Sequence, residues 1–150
     1  MDNIDKKIIK ELQLNARISN EELAERVNLS ASPCLRRVKK LEQQGIISAY
    51  TAIVDQVHCG LSMNVFLSVR LERPDTAIMQ NFEREIAKLD EVIECFLMTG
   101  NRDYLLKIVS SDLQAYETFI RDKFSAIAGI MSIESSFAFG QVKQQHFLPI

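Results

Sequence analysis

Four basic side chains fall within five positions of the chain: Arg36, Arg37, Lys39 and Lys40, with no acid among them. Guanidinium and ammonium groups make charge-assisted hydrogen bonds to phosphate, and a guanidinium also fits the guanine edge in bidentate fashion. Ser30, Ser32 and Pro33 lie just upstream; hydroxyl groups suit phosphate oxygens. A second polar cluster, Gly100-Asn101-Arg102-Asp103, separates two apolar runs. The Asp103 carboxylate could pair with an ammonium, while loop N–H groups could hold a carboxylate, the two charges of a free amino acid. The same residue types also favour a plain hairpin turn, so the residues alone leave both readings open.

Other chemistry is poorly provided for. The histidines are His58 and His146, and the cysteines Cys34, Cys59 and Cys95 form no CxxC pair. No nucleophile elbow, zinc-protease, dinucleotide or phosphate-loop motif is present. We therefore expect no catalytic residue, no metal site and no cofactor; the chain is not read as an enzyme. The odd cysteine count fits reduced thiols in a cytoplasmic protein. With 150 residues, 47% hydrophobic and 25% charged, the chain has material for one domain or two small ones with real cores. No apolar run reaches membrane-span length, and the charged N-terminus resembles no targeting peptide.

The basic run must be positioned by short helices. Ile4, Ile8 and Leu12 share one face of a first helix, capped by Asp2 or Asn3. Ser19 with Glu22 has the spacing of a capping box, so a second helix begins near Asn20. Asn28 suits a tight left-handed turn. A third helix follows, capped by Ser30 or Ser32, with Pro33 tolerated in its first turn. At 100° per residue, Cys34, Val38 and Leu41 form a core stripe. Ser32, Arg36, Lys39, Lys40 and Gln43 lie opposite, and Arg37 lies at the margin. Cys34 is best taken as a small buried apolar residue. This is the plan of a helix-turn-helix whose last helix enters the major groove. The overall charge of -2 does not oppose that, because a phosphate meets the local field, and residues 1–50 carry a positive excess.

After an extended segment over "GIISAYTAIVD" and a turn at "QVHCGLS", the hydrophobic period changes to two. Met63, Val65, Leu67, Val69 and Leu71 alternate with their neighbours, as in a half-buried strand. "RPDTA" marks a turn, and Asp75 caps a helix through Ile78, Phe82, Ile86 and Leu89. Two strands flank "GNRD". Asp112 caps another helix with Leu113, Tyr116, Ile120, Phe124 and Ile127 on one side, and "IMSIESSFAF" is a last strand. The order is βαββαβ, the ferredoxin-like plan with both helices on one face of the sheet. Phe66, with some of Cys95, Phe96 and Leu97, leaves the other face half apolar, which predicts pairing with a second copy. The expected boundaries are 1–50 for the helix-turn-helix, 51–62 for a linker strand and turn, and 63–150 for the second domain. The class is α+β.

"NIDKKIIKELQLNARISNEELAERVNLSASPCLRRVKKLEQQGIISAYTAIVD" resembles the DNA-binding half of the Lrp/AsnC, or feast/famine, regulators. "TGNRDYLLKIV" and "SSFAFGQVKQQHFLPI" resemble that family's glycine–aspartate hairpin and its last strand and tail. The resemblance implies a winged-helix-like DNA-binding domain and a RAM domain that senses amino acids. It also implies a homodimer assembling to tetramers or octamers. By position it assigns effector binding to Gly100, Asn101, Arg102, Asp103 and Tyr104, with Ser135, Ser136 and Phe137 from a neighbouring subunit; Tyr104 itself reads more as a core or interface residue.

These expectations converge on a regulator that binds double-stranded DNA through Ser30, Ser32, Pro33, Arg36, Arg37, Lys39 and Lys40 and responds to a small effector, an amino acid by preference. The alternative is an architectural protein that organises DNA without sensing anything; its signature is a steep salt dependence with little sequence preference.

Overall fold

The computed structural model describes residues 1–73 and 75–150. The chain forms two compact units, Met1–Ile53 with Val142–Ile150, and Val54–Gln141.

The first unit holds α1 (Asn3–Leu14), α2 (Asn20–Arg26) and α3 (Ala31–Gln43). Asp2 starts α1 with a complete capping box: its carboxylate accepts from the Ile4 and Asp5 N–H groups at 2.9 Å, and Asp5 accepts from the Asp2 N–H at 3.0 Å. Ser19 caps α2 by accepting from the Glu22 N–H at 3.1 Å. The reciprocal half of the expected box is absent, because the Glu22 carboxylate turns to Arg26 at 2.6 Å. Asn28 has φ +57°, the left-handed turn between α2 and α3. Ile8, Leu23, Ala24, Val27, Cys34 and Leu41 form the core. Burial pushes the Cys34 thiol up, as expected of a packed, unreactive cysteine.

One expectation needs correction. The segment after α3 forms no strand; an extended stretch needs a ladder partner, and Ile53 and Val54 remain exposed. The tail Val142–Ile150 packs with the first unit. The Gln13 side chain pairs with its backbone, accepting from the Leu148 N–H at 2.6 Å and donating to the Leu148 carbonyl at 3.3 Å.

The second unit contains β1 (Met63–Leu71), α4 (Thr76–Ile86), β2 (Val92–Leu97), β3 (Tyr104–Ser110), α5 (Leu113–Asp122) and β4 (Ile130–Phe137). All neighbours in the sheet are antiparallel, in the order β2-β3-β1-β4. Val65, Leu67, Val69 and Leu71 face inward and pack with Phe82, Tyr104 and Phe124. Asp75 and Asp112 cap α4 and α5 as expected; Pro74 of the expected turn lies outside the described residues.

The face of α5 differs from expectation. Tyr116 and Phe119 set its buried stripe, whereas Leu113 overhangs the first turn and is 60% exposed. The helix stops at Asp122, and a 3-10 turn at Phe124–Ala126 carries Phe124 inward. On the open face of the sheet, the register places Phe66, Phe96, Leu105 and Val109 together. Cys95 and Leu97 lie in the inward row at the β2 edge, opposite Leu106 and Tyr104, so Phe96 is the member of that trio on the open face.

Candidate nucleic-acid interface and ligand loop

Helix α3 presents its charge as its wheel demands. Cys34 and Leu41 are buried, while Ser32, Arg36, Lys39 and Lys40 are exposed on the other side. Among the described residues, no carboxylate lies within 4.0 Å of Arg36, Lys39 or Lys40. Ser30 occupies the N-cap position with extended backbone, but its hydroxyl caps nothing. Instead the Asn20 amide donates to the Ala31 carbonyl at 2.9 Å, tying the start of α2 to the start of α3. Pro33 sits half-buried in the first turn. The Ser30 hydroxyl is thereby left for another partner.

Arg37 does not belong to this exposed row. Its guanidinium donates to Asp2 and to Asp5, both at 2.7 Å, and is partly buried. The Asp2 carboxyl is held below its usual range, first by the Asp5 N–H and then by Arg37. Arg37 therefore braces α3 against the start of α1, apart from the exposed row with which the sequence groups it. An Asp-x-x-Asp pair at a helix start was visible in the sequence; that Arg37 answers it from 32 positions beyond Asp5 was not.

In the second unit, Gly100 begins the loop with φ +106°. Asp103 is stitched to β1 on two sides: its Oδ2 accepts from the Leu71 N–H at 2.7 Å, and its own N–H donates to the Val69 carbonyl at 2.9 Å. Its Oδ1 accepts no hydrogen bond among the described residues. Met98 N–H closes the hairpin on the Asp103 carbonyl at 2.8 Å. The turn reading of this loop is thus correct, and one carboxylate oxygen is left over. Arg102 pairs with Glu134 on β4. Asn101 is exposed.

Tyr104 is buried and donates to Glu83 at 2.8 Å. Burial and that carboxylate push its phenol far above the usual range. It is a core residue, so its place among the effector-binding residues is corrected. The β4 residues divide between faces. Ser135 and Phe137 lie in the inward row, where Ser135 shares a 2.6 Å hydrogen bond with the Tyr116 hydroxyl and Phe137 packs edge-on against that ring at 5.4 Å. Ser136 lies opposite Phe66 on the open face. Within one protomer, β3 and β4 flank β1 on opposite sides, so the loop and Ser135–Phe137 do not form one pocket. Sequence reasoning missed the Tyr116–Ser135 pair; neither residue type signals a partner across a helix and a strand.

Among the described residues, no group of three His, Cys, Asp or Glu side chains could hold a metal ion. No helix among them is long and apolar enough to cross a membrane.

Comparison with known proteins accounts for both units. A family model for winged helix-turn-helix DNA-binding matches residues 1–48, and one for the Lrp/AsnC ligand binding domain matches residues 64–147. The leucine-responsive regulatory proteins of Escherichia coli and Salmonella typhimurium are 38% identical over 150 residues, spanning 100% of this chain and 92% of theirs. A transcriptional regulator from Neisseria meningitidis, solved as an L-Met complex, superposes with a TM-score of 0.93 at 38% identity, covering 99% of this chain and 96% of that one. An AsnC family transcriptional regulator from Agrobacterium tumefaciens gives 0.94 at 34% identity, covering 99% and 97%.

Proposed function

The chain belongs to the Lrp/AsnC family of transcriptional regulators, and we propose that α3 reads operator DNA while the Asp103 loop takes a free amino acid between associated copies. A winged helix-turn-helix DNA-binding domain and a ligand-binding domain share the chain, and its function is regulatory, not enzymatic.

The observation that carries the DNA assignment is the exposed row Ser32, Arg36, Lys39 and Lys40 on α3, whose cations have no acid partner among the described residues while the inward-turned Arg37 has two. Arg36 is suited to a base edge; Lys39, Lys40 and the Ser30 and Ser32 hydroxyls are suited to phosphates.

Three features support the amino-acid assignment. The free Asp103 Oδ1 is an acceptor for an ammonium group. Arg102 sits in a partly exposed pair with Glu134, which a ligand carboxylate can displace at small cost. The Neisseria relative was solved with L-Met. A homodimer, and assemblies of dimers, would cover Phe66 and Phe96 and bring Ser136 of one copy near another. An effector bound between copies then shifts assembly by its differential affinity for the two states.

The test is a thermal-shift screen against the common amino acids, run beside light scattering and DNA-binding titrations. A ligand at 100 times its Kd adds about 2.7 kcal/mol to the native state. A shift confined to a few amino acids, with a change in assembly or DNA affinity, supports the proposal. DNA binding with a steep salt dependence, little sequence preference and no ligand response would make the protein architectural instead.

A further inference from the structure

The first helix carries charge that neither the fold nor the α3 interface uses. Its acids are all engaged: Asp2 and Asp5 hold Arg37 at 2.7 Å, and Glu11 holds Arg26 at 2.8 Å. Its lysines are not. Lys6, Lys7 and Lys10 are exposed, and among the described residues none has a carboxylate within 4.0 Å. At 100° per residue Lys6 and Lys10 fall opposite the fully buried Ile8, and Lys7 lies at the flank of the same exposed sector. The acids of α1 are therefore neutralised, and the charge left over on its exposed side is positive.

Folding gives no reason for this row. Lys6 and Lys10 are four apart and Lys7 and Lys10 three apart, spacings at which like charges oppose a helix. The neighbouring helix sharpens the point. In a helix-turn-helix, the helix before the recognition helix crosses the DNA backbone. Here that helix is α2, and it exposes Glu21, Glu22 and Glu25; among the described residues only Glu22 of these has a cation, Arg26. Acids on that flank repel phosphates. Helix α1 also lies against α3: its first turn is fixed beside the middle of α3 by the Arg37–Asp5 pair, one residue from Lys6.

We propose that Lys6, Lys7 and Lys10 form a second phosphate-binding surface, gripping the backbone of the same duplex that α3 reads. The proposal rests on the DNA-binding role given to α3. It assigns the two helices different work: α3 supplies sequence preference, and α1 supplies charge. Lysine suits such a surface, because a compact ammonium on a flexible stem meets phosphate without demanding one geometry.

The experiment uses the full chain. A duplex is selected by the wild-type protein from a random pool, and anisotropy titrations are run on it and on a scrambled duplex across a range of KCl. The proposal expects K6Q/K7Q/K10Q to bind both duplexes more weakly by the same factor. The slope of log K against log salt should shrink by about 0.9 for each phosphate that the variant no longer neutralises. K6R/K7R/K10R should bind like wild type, and thermal unfolding should show the Gln variant still folded. An unchanged slope and affinity in the Gln variant overturns the proposal. So does a loss confined to the selected duplex, which would make these lysines base readers. Failure of the α3 assignment looks different: R36A/K39A/K40A would then bind both duplexes as wild type does.

Discussion

Adjacent arginines on α3 face different surroundings, because they fall on different sides of the helix. Arg36 projects to solvent, whereas Arg37 is held by two carboxylates. We expect Arg36→Ala to cost about 1–3 kcal/mol of binding on the selected duplex, with less loss on a scrambled one, and to leave thermal stability unchanged. Arg37→Ala should do the reverse, lowering the melting temperature while the ratio of the two affinities stays at the wild-type value. Anisotropy and calorimetry on both variants separate them. Asp103 has one oxygen bonded to the Leu71 N–H and one free for the proposed ligand. Asp103→Ala leaves the Leu71 N–H without its acceptor and should cost about 1–3 kcal/mol in the ligand-free protein. Asp103→Asn keeps an acceptor for that N–H but removes the charge. It should unfold close to the wild-type temperature and lose the shift that amino acids produce. A wild-type ligand response in Asp103→Asn would remove the carboxylate from the site. The exposed cations and the loop aspartate were legible in the sequence because period and residue type suffice to place them. The Arg37 brace and the second bond of Asp103 were not, since each joins residues 32 positions apart, and no local pattern encodes that.

At the scale of elements, capping and tight approach decide where the helices begin and end. The Asp112 carboxyl accepts from the Ala115 N–H at 2.8 Å, and that bond is the main cause holding it below its usual range. A carboxyl depressed in the folded state stabilises the fold above its unfolded pKa, about 3.9, and loses that contribution as pH falls through the lower folded value. Asn is an equally good cap without a titrating proton. Asp112→Asn should therefore lose less stability than wild type as pH is lowered from about 5 towards 2, measured by urea unfolding at each pH. Gly129 marks the turn into β4. Its φ is +88°, and an added Cβ would stand 2.7 Å from Ile78 Cγ2 on α4. Gly129→Ala combines an unfavourable backbone with overpacking and should cost about 1–3 kcal/mol. In an Ile78→Ala background, which removes Cγ2, Gly129→Ala should still cost nearly as much if the backbone is the larger part. The caps at Asp75 and Asp112 follow from short-range rules, so the sequence announced them. The course of α5 was harder to foresee, because a helical stripe extrapolated through Phe124 and Ile127 cannot register that the backbone tightens after Asp122.

For the whole molecule, the open face of the sheet is the surface that the fold itself leaves unfinished. Phe66 is 38% exposed and Phe96 50% exposed, with Leu105 between them on the strand that joins theirs. Lys107 and Glu94, 3.5 Å apart, interrupt this apolar face with a matched pair. A two-fold interface is self-complementary, so a face mixing aromatic rings with acids and bases can meet its own copy with the rings together and the charges crossed. Monomeric proteins seldom leave such a patch uncovered. If a second copy covers it, stability depends on concentration, because association binds only the native state. The wild-type melting temperature should then rise with protein concentration, and sedimentation should report a dimer or larger. Phe96→Lys would place a charge where two sheets meet, but in the isolated unit that charge simply projects to water. We therefore expect a monomer with a concentration-independent melting temperature and an intact βαββαβ fold by circular dichroism. The variant should also bind a palindromic operator more weakly than wild type, while a single half-site is bound equally by both, since only the dimer engages two half-sites at once. A Phe96→Lys protein that still sediments with the wild type would show that another surface, and not this sheet face, joins the copies.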